Sequence, residues 1–334
     1  MPATALVIGG TRNLGPDLVA ALQGRGDTVT VLNRGVTADT LPPQIERLRA
    51  DRSDTAALAA ALHGRSFDLV VDTTLYTGPD AEAVARLLHG RVDRYVFWST
   101  GQVYLVRVGP QRPFREEDYD GPLMPEPPAG DESDHRNWVY GINKRAAEDA
   151  LRAAHEARRY RFVALRMPMI NSERDHYTRI AGYVHRLRDG GPILLPEDEL
   201  PLRHVYGRDV VAATLRAADG AVPAGTAVNI SQDETLTLEE MLGLLAEVCG
   251  RPLRVRRLPR RMLEQHRLLP GCSPFSDPWM SALANERSKQ LLGLRYTAVR
   301  EYVPKLVEAA LALPAEQVIG YARRPEELGL TVCG

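Results

Sequence analysis

The first half of the chain alternates two patterns of apolar residues. Runs at 5–9, 28–32, 68–72, 94–99 and 161–166 read as buried strands, and 46–50 is short enough to be another. Helical segments at 13–23, 54–62, 80–89 and 138–158 lie between them, with Asp54 near the start of its own. Such alternation predicts an α/β fold, a parallel sheet with helices on both faces. Ligands of these sheets bind at the carboxyl ends of the strands. The region 105–137 breaks the pattern with Pro110, Pro113, Pro122, Pro125, Pro127 and Pro128 and the acidic cluster Glu116, Glu117 and Asp118. A loop of that length is expected to be functional or mobile. From about Ile170 the alternation becomes irregular, which predicts a smaller second domain. No internal repeat or low-complexity tract is present.

The first strand runs into Val7-Ile8-Gly9-Gly10-Thr11-Arg12-Asn13-Leu14-Gly15, and a helix follows. In that order Gly9 permits a tight turn, Gly10 lets a pyrophosphate approach the backbone, and Gly15 lets the helix pack on the sheet. The free N–H groups and positive dipole end of the helix would face an anion. An NAD site places an acid at the end of the second strand, for the ribose 2′-hydroxyl. Here that strand ends Leu32-Asn33-Arg34-Gly35. Arg34 can pair with a 2′-phosphate, and Arg12 can reach the same group, which favours NADP over NAD. The competing reading is two solvated surface arginines.

Tyr140 and Lys144 are four apart on a predicted helix, so both leave one face. A nearby ammonium stabilises a tyrosinate and lowers the phenol from its free pKa of about 10. That suits a general acid–base for a hydroxyl or carbonyl. Thr100 ends the strand before the proline-rich loop, where its hydroxyl can bond a substrate oxygen. In isolation, a chance helical pair and a strand-capping threonine explain these residues too.

Composition narrows the class. Hydrophobic content of 44% and charged content of 25% are those of a soluble globular protein. A net charge of −1 argues against a nucleic-acid-binding surface. Cys249, Cys272 and Cys333 are odd in number and far apart, which fits a reducing compartment and predicts a cytoplasmic location. The first strand begins by Ala5, so no signal peptide is expected, and no apolar stretch approaches a membrane span. Only Lys144, Lys289 and Lys305 are lysine among 42 basic residues, which draws attention to Lys144. The basic run 254–261 reads as a solvated strand edge, against a site for an anionic group or RNA. Asp175, His176 and His185 lack further ligand spacing, and no metal is expected. Trp279 and the apolar stretch 263–269 read as packing.

Taken together, these segments resemble the short-chain dehydrogenase/reductase superfamily in its extended, atypical form, the NAD(P)-dependent epimerase/dehydratase family. The resemblance runs along nearly the whole chain. The 9–15 turn is similar to the extended fingerprint, with Arg12 where most members have glycine and many NADP-preferring relatives have arginine. Asp51-Arg52 resembles the adenine-contacting acid. The segment 95–104 resembles the catalytic Ser/Thr strand, with Thr100 in the hydroxyl position. Tyr140-Gly141-Ile142-Asn143-Lys144 with Ala147-Glu148 resembles the Tyr–Lys signature. Leu165-Arg166, His204-Val205, Asp209-Val210, Asn229-Ile230 and Leu292-Gly293 also fall at recurrent positions.

The resemblance implies a Rossmann doubly wound sheet over residues 1–169, with about 205–231 returning to it, and a mainly substrate-binding domain over 170–334. It assigns the cofactor, NADP, to Gly9, Gly10, Thr11, Arg12, Asn13, Leu14, Gly15, Arg34, Asp51, Arg52, Thr73, Thr74, Lys144 and Met167. It implies hydride transfer at a secondary alcohol or ketone of a small polar substrate, by a reductase or an epimerase. Tyr140 would move the proton, Lys144 would hold the nicotinamide ribose, and Thr100 would position the substrate oxygen. Gln102, Asn171 and Arg203 would face the substrate. Family sugar dehydratases carry an Asp-Glu pair after the catalytic threonine. Here Gly101 and Gln102 stand there, which argues against 4,6-dehydration. Ile170-Asn171-Ser172-Glu173 likewise replaces the Val-Tyr-Gly-Pro of nucleotide-sugar enzymes. The family habit of four-helix dimers points to a homodimer through 80–89 and 138–158. The other class of function is a non-catalytic NADP sensor or an RNA-associated atypical member.

Overall fold

The computed structural model describes residues 3–128 and 132–332. Cys333 and residues 129–131 of the proline-rich segment lie outside them. The chain begins β1 (Thr4–Ile8), α1 (Gly15–Gly24), β2 (Thr28–Asn33), β3 (Glu46–Arg49), α2 (Thr55–Leu62), β4 (Phe67–Asp72) and α3 (Gly78–Leu87). Then come β5 (Val92–Thr100), α4 (Gln102–Leu105), α5 (Glu132–Arg158), β6 (Phe162–Met167), β7 (Ile170–Asn171), α6 (Arg179–Asp189), β8 (Ile193–Pro196) and β9 (Val205–Tyr206). The remainder is α7 (Gly207–Ala218), β10 (Thr226–Asn229), α8 (Leu238–Cys249), β11 (Val255–Leu258), α9 (Arg260–Gln265), α10 (Glu286–Leu292), α11 (Val299–Ala312) and α12 (Arg324–Val332).

Two compact units divide this chain. The first joins Met1–Pro168, Gly207–Ser231 and Leu283–Arg295; the second joins Met169–Tyr206, Gln232–Ala282 and Tyr296–Gly334. The first holds a seven-stranded sheet in the order β10-β6-β5-β4-β1-β2-β3, and every pairing in it is parallel. This is the expected Rossmann-like α/β sheet. Strand order reverses between β1 and β4, so a crevice opens beyond their carboxyl ends. Beyond exposed Thr4, β1 is buried on both faces, because alternate residues enter cores on opposite sides of the sheet. Leu6 and Ile8 enter a core with Val70, Phe97, Leu58 of α2, Val84 of α3 and Leu151 of α5. From β5, Trp98 Nε1 donates to Thr214 Oγ1 of α7 at 3.0 Å.

Helix α5 begins at Glu132, ahead of the predicted 138. Residues 132–137 carry no apolar periodicity, but Glu132 and Asp134 suit the positive end of a helix. The preceding loop is also more structured than its prolines suggest. It follows directly on α4 and contains a 3-10 turn at Glu116–Tyr119. Phe114 and Tyr119 pack with Val103, Tyr104 and Leu283. Arg107 ties the loop together by donating to the Asp118 carbonyl at 3.0 Å and the Pro122 carbonyl at 2.6 Å.

The second unit is built on α6, α8 and α11, whose Tyr183, Val184, Leu187, Leu242, Leu245, Val303 and Leu306 form one core. Buried Arg186 and Glu327 pair to fasten α12, and Arg324 adds contacts to Asp189 at 2.7 Å and Glu327 at 2.9 Å. The basic run 254–261 includes β11, which pairs in parallel with β8. Two of its arginines meet acids: Arg257 bonds Glu199 and Glu239, and Arg260 bonds Asp198. Asp175 is held by Arg179 at 2.8 Å, and His185 Nε2 meets the Leu313 carbonyl at 3.0 Å. Among the described residues no group of three or more His, Cys, Asp or Glu could hold a metal, and no helix is long and apolar enough to cross a membrane. Leu263 and Leu268 pack with Leu194, Leu258 and Cys272.

Candidate active site

The glycine turn joins β1 to α1. Gly9 has φ +95°, and a Cβ there would lie 2.2 Å from Thr73 Oγ1 and 2.7 Å from Thr74 Cγ2. The ends of β1 and β4 therefore close on one another only because residue 9 has no side chain. Gly15 has a different role from the one predicted. Its Cβ would lie 2.3 Å from the Gly10 carbonyl carbon, so it lets the helix start against the turn rather than against the sheet. Asn13 takes a left-handed conformation, φ 51°, which asparagine tolerates. A cradle with no room for side chains fits the close approach of a pyrophosphate.

Beyond β2, Arg12 Nη2 donates to Thr37 Oγ1 at 2.5 Å. Arg34, two-thirds exposed, lies 3.8 Å from Asp51. Side-chain and backbone hydrogen bonds from Ser53 hold the Asp51 carboxyl below its ordinary range, and Arg34 adds to the effect. The register that pairs β2 with β3 sets Asn33 beside Arg49, which donates to Asn33 Oδ1. Asn33 Nδ2 is buried without a hydrogen-bond partner. An amide side chain thus stands where NAD sites place an accepting acid. Arg49 was missed by sequence reasoning, because only strand register brings it to this edge.

Arg52 does not point out beside Asp51. It turns inward, donating to Asp72 Oδ1 at 2.7 Å and Thr74 Oγ1 at 3.4 Å. Asp72 is fully buried and also accepts from the Tyr95 hydroxyl at 2.5 Å and the Thr74 amide at 3.0 Å. This polar knot under the end of β4 carried no sequence signal beyond an acid in a buried run.

Thr100 ends β5, opposite Met167 in the register with β6. Its Oγ1 accepts from the Gln102 amide at 3.2 Å, and the Gly101 amide donates to the Met167 carbonyl at 2.7 Å. Gln102 Nε2 donates to Asn137 Oδ1 of α5 at 3.4 Å. Half-buried Tyr140 packs its ring 6.3 Å from that of Tyr76. One turn on, Lys144 is 3% exposed and donates to the carbonyls of Leu75 and Trp98, both at 2.8 Å. Its Nζ lies 4.3 Å from the Phe97 ring centre. Burial pushes this ammonium down to about 7, while the charges of Asp72 and Glu148 resist the fall. One turn further, Glu148 pairs with Arg166 of β6 at 2.6 Å and accepts from Ser99. Burial would raise Glu148; the Arg166 guanidinium and these hydrogen bonds hold it below its ordinary range.

Asn171 and Arg203 belong to the second unit. Asn171 is 2% exposed; its Nδ2 meets His204 Nδ1 at 3.1 Å and lies 3.5 Å from the Tyr302 hydroxyl. Its amide is thus engaged inside that unit. Arg203 donates to the Asp233 carbonyl at 3.0 Å.

A family model described as the NAD dependent epimerase/dehydratase family matches residues 5–231. Over 263 residues the chain is 26% identical to 2'-dehydrokanamycin reductase of Streptomyces kanamyceticus, covering 76% of this chain and 69% of that one. It is 24% identical to the chloroplast stem-loop binding protein of 41 kDa b of Arabidopsis thaliana, covering 74% of this chain and 63%, less than two thirds, of that protein. Among solved structures, the UDP-glucose 4-epimerase of Thermus thermophilus, complexed with NAD, superposes with a TM-score of 0.70 at 21% identity, covering 93% of this chain and 100% of that one.

Proposed function

Because the chain belongs to the NAD dependent epimerase/dehydratase family, we propose that it is an NADP(H)-dependent oxidoreductase acting on a secondary alcohol or ketone of a small polar substrate, sugar-like or a biosynthetic intermediate. The pairing of Tyr140 with Lys144 one turn on, the lysine held between the carbonyls of Leu75 and Trp98, carries this reading. When bound, the nicotinamide cofactor supplies or accepts the hydride. Gly9, Gly10, Thr11, Asn13, Leu14 and Gly15 would receive its pyrophosphate, with Thr73 and Thr74 beside them. Arg12 and Arg34 would take the 2′-phosphate, Asp51 would face the adenosine, and Lys144 and Met167 would lie toward the nicotinamide end.

Thr100 orients the substrate oxygen. The Tyr140 hydroxyl gives its proton to a carbonyl oxygen, or as phenolate takes one from a hydroxyl. Protonated Lys144 stabilises that phenolate. Gln102, steadied by Asn137, reads a substrate polar group; an amide cannot act as the acid or base of a dehydration. The relative named a reductase supports ketone reduction over epimerisation. The odd, separated cysteines support a cytoplasmic setting. A homodimer through α3 and α5 rests on the family resemblance alone. The relative named a stem-loop binding protein raises the RNA alternative. Acids already engage Arg257 and Arg260 in the basic run, which weakens it.

Titrations of the protein with NADPH and with NADH, and of an Arg12→Ala/Arg34→Ala variant with both, test this reading. We expect tighter binding of NADPH. The variant should lose about tenfold or more for NADPH, the worth of a charge-assisted hydrogen bond or two, and little for NADH. Equal affinity for the two cofactors in the wild-type protein would overturn the NADP assignment.

A further inference from the structure

We propose that the Tyr76 ring is a positioning cover on Lys144, shutting solvent away from the ammonium on the side that the β-sheet leaves open. Tyr76 follows Leu75, whose carbonyl takes one hydrogen of Nζ. The ring stands 5.4 Å from Nζ, and the Phe97 ring stands 4.3 Å from it. Tyr76 is itself 49% exposed, while the lysine is only 3% exposed. A large aromatic side chain left half in water does little for the core; here its apolar surface covers a charge. The same ring packs against Tyr140 at 6.3 Å and a 51° tilt, so one side chain touches both members of the acid–base pair.

The groups that face Lys144 are Asp72 at the end of β4, Arg52 after β3, Glu148 on its own helix, and the ring of Tyr76. Replacing Tyr76 leaves the other charges in place, so the exclusion of water is what changes. Burial is the largest cause acting on this lysine and brings it to about 7. Opening the cover therefore hydrates the ammonium and favours the charged form. The attraction of a cation to the ring acts in the opposite sense and is kept in Tyr76→Phe. The covering itself is independent of the proposed reaction; only its catalytic consequence rests on Tyr140 and Lys144 being the acid–base pair.

Three lysines make the test direct. In protein labelled with carbon-13 lysine, the Cε signals of Lys144, Lys289 and Lys305 are followed by NMR as pH is raised, with Lys144→Met supplying the assignment. We expect the Lys144 midpoint to rise by about one pH unit or more in Tyr76→Ala, a tenfold gain in proton affinity, and to stay in place in Tyr76→Phe. An unchanged midpoint in Tyr76→Ala overturns the proposal. So does an equal shift in Tyr76→Phe, which would assign the effect to the hydroxyl. Far-UV circular dichroism reports whether the variant is folded. Should Tyr76→Ala fail to fold, Tyr76→Leu, which lacks the reach of the ring, must show the upward shift or the proposal falls. A shifted Lys144 with an unmoved pH profile of kcat/KM would keep the cover and remove the acid–base assignment instead.

Discussion

A phenol with a free pKa of about 10 exchanges protons near neutrality only if its anion is stabilised. In the proposed reaction Lys144, held between two carbonyls and beside two aromatic rings, supplies the charge. Tyr140→Phe keeps the ring that packs on Tyr76 and removes only the hydroxyl. Its kcat should fall about 10²–10⁴-fold, the usual worth of a positioned acid–base, while nucleotide affinity stays unchanged. Steady-state rates beside a cofactor titration check this, and undiminished turnover would remove Tyr140 from the chemistry. The placement of Tyr140 and Lys144 on one helix and the glycine turn were legible in the sequence because both are local: a four-residue spacing, and glycines in consecutive positions. Tyr76, Arg49 and Asn137 were not. Each reaches its neighbours through a loop, a strand register or an adjacent helix, and carries no spacing signal of its own.

Among the elements, α5 has most to do, since it carries Tyr140, Lys144 and Glu148 on successive turns. Glu148 anchors the helix to β6 through Arg166, and the Tyr104 hydroxyl accepts from the same guanidinium at 2.7 Å while donating to Asn229 at 2.8 Å. Removing one partner of a buried pair leaves the other charge uncompensated, at a cost of about 3–5 kcal/mol. Glu148→Gln should therefore lower the urea midpoint by that amount of stability and reduce turnover together, because the anchor and the proposed acid–base pair share one helix. A midpoint within experimental error of wild type would show that β6 does not hold α5 in this way. The sequence placed most of α5 correctly but not its first turn, where polar residues are favoured by the helix dipole and leave no apolar stripe to read.

For the molecule as a whole, pH offers the clearest test. His204 is 2% exposed, and burial, with the Arg179 charge, lowers it to about 3. Its folded pKa lies below the unfolded value of about 6.5, so the unfolded chain binds more protons between the two. Stability is then full above pH 6.5 and falls as pH drops toward 3. Glu148 adds a loss only below about pH 4.3, where an unfolded carboxyl takes its proton. Lys144, also lowered, instead makes stability rise from about pH 7 toward 10.5. Urea unfolding should show about 2 kcal/mol less stability at pH 5 than at pH 6.5, with a shallower slope in His204→Gln. An equal slope in that variant would mean that another group titrates. The sequence by itself determined the parallel α/β fold, the glycine turn at the end of β1 and the Tyr–Lys helix, since periodicity and short spacings are set by neighbours along the chain. Only the tertiary structure decided that Leu283–Arg295 rejoins the first unit, that Arg52 turns inward to Asp72, that Asn171 is spent within the second unit, and that Tyr76 covers Lys144. Those outcomes depend on burial and on strand order, which bring together residues far apart in sequence and fix which side chains meet water.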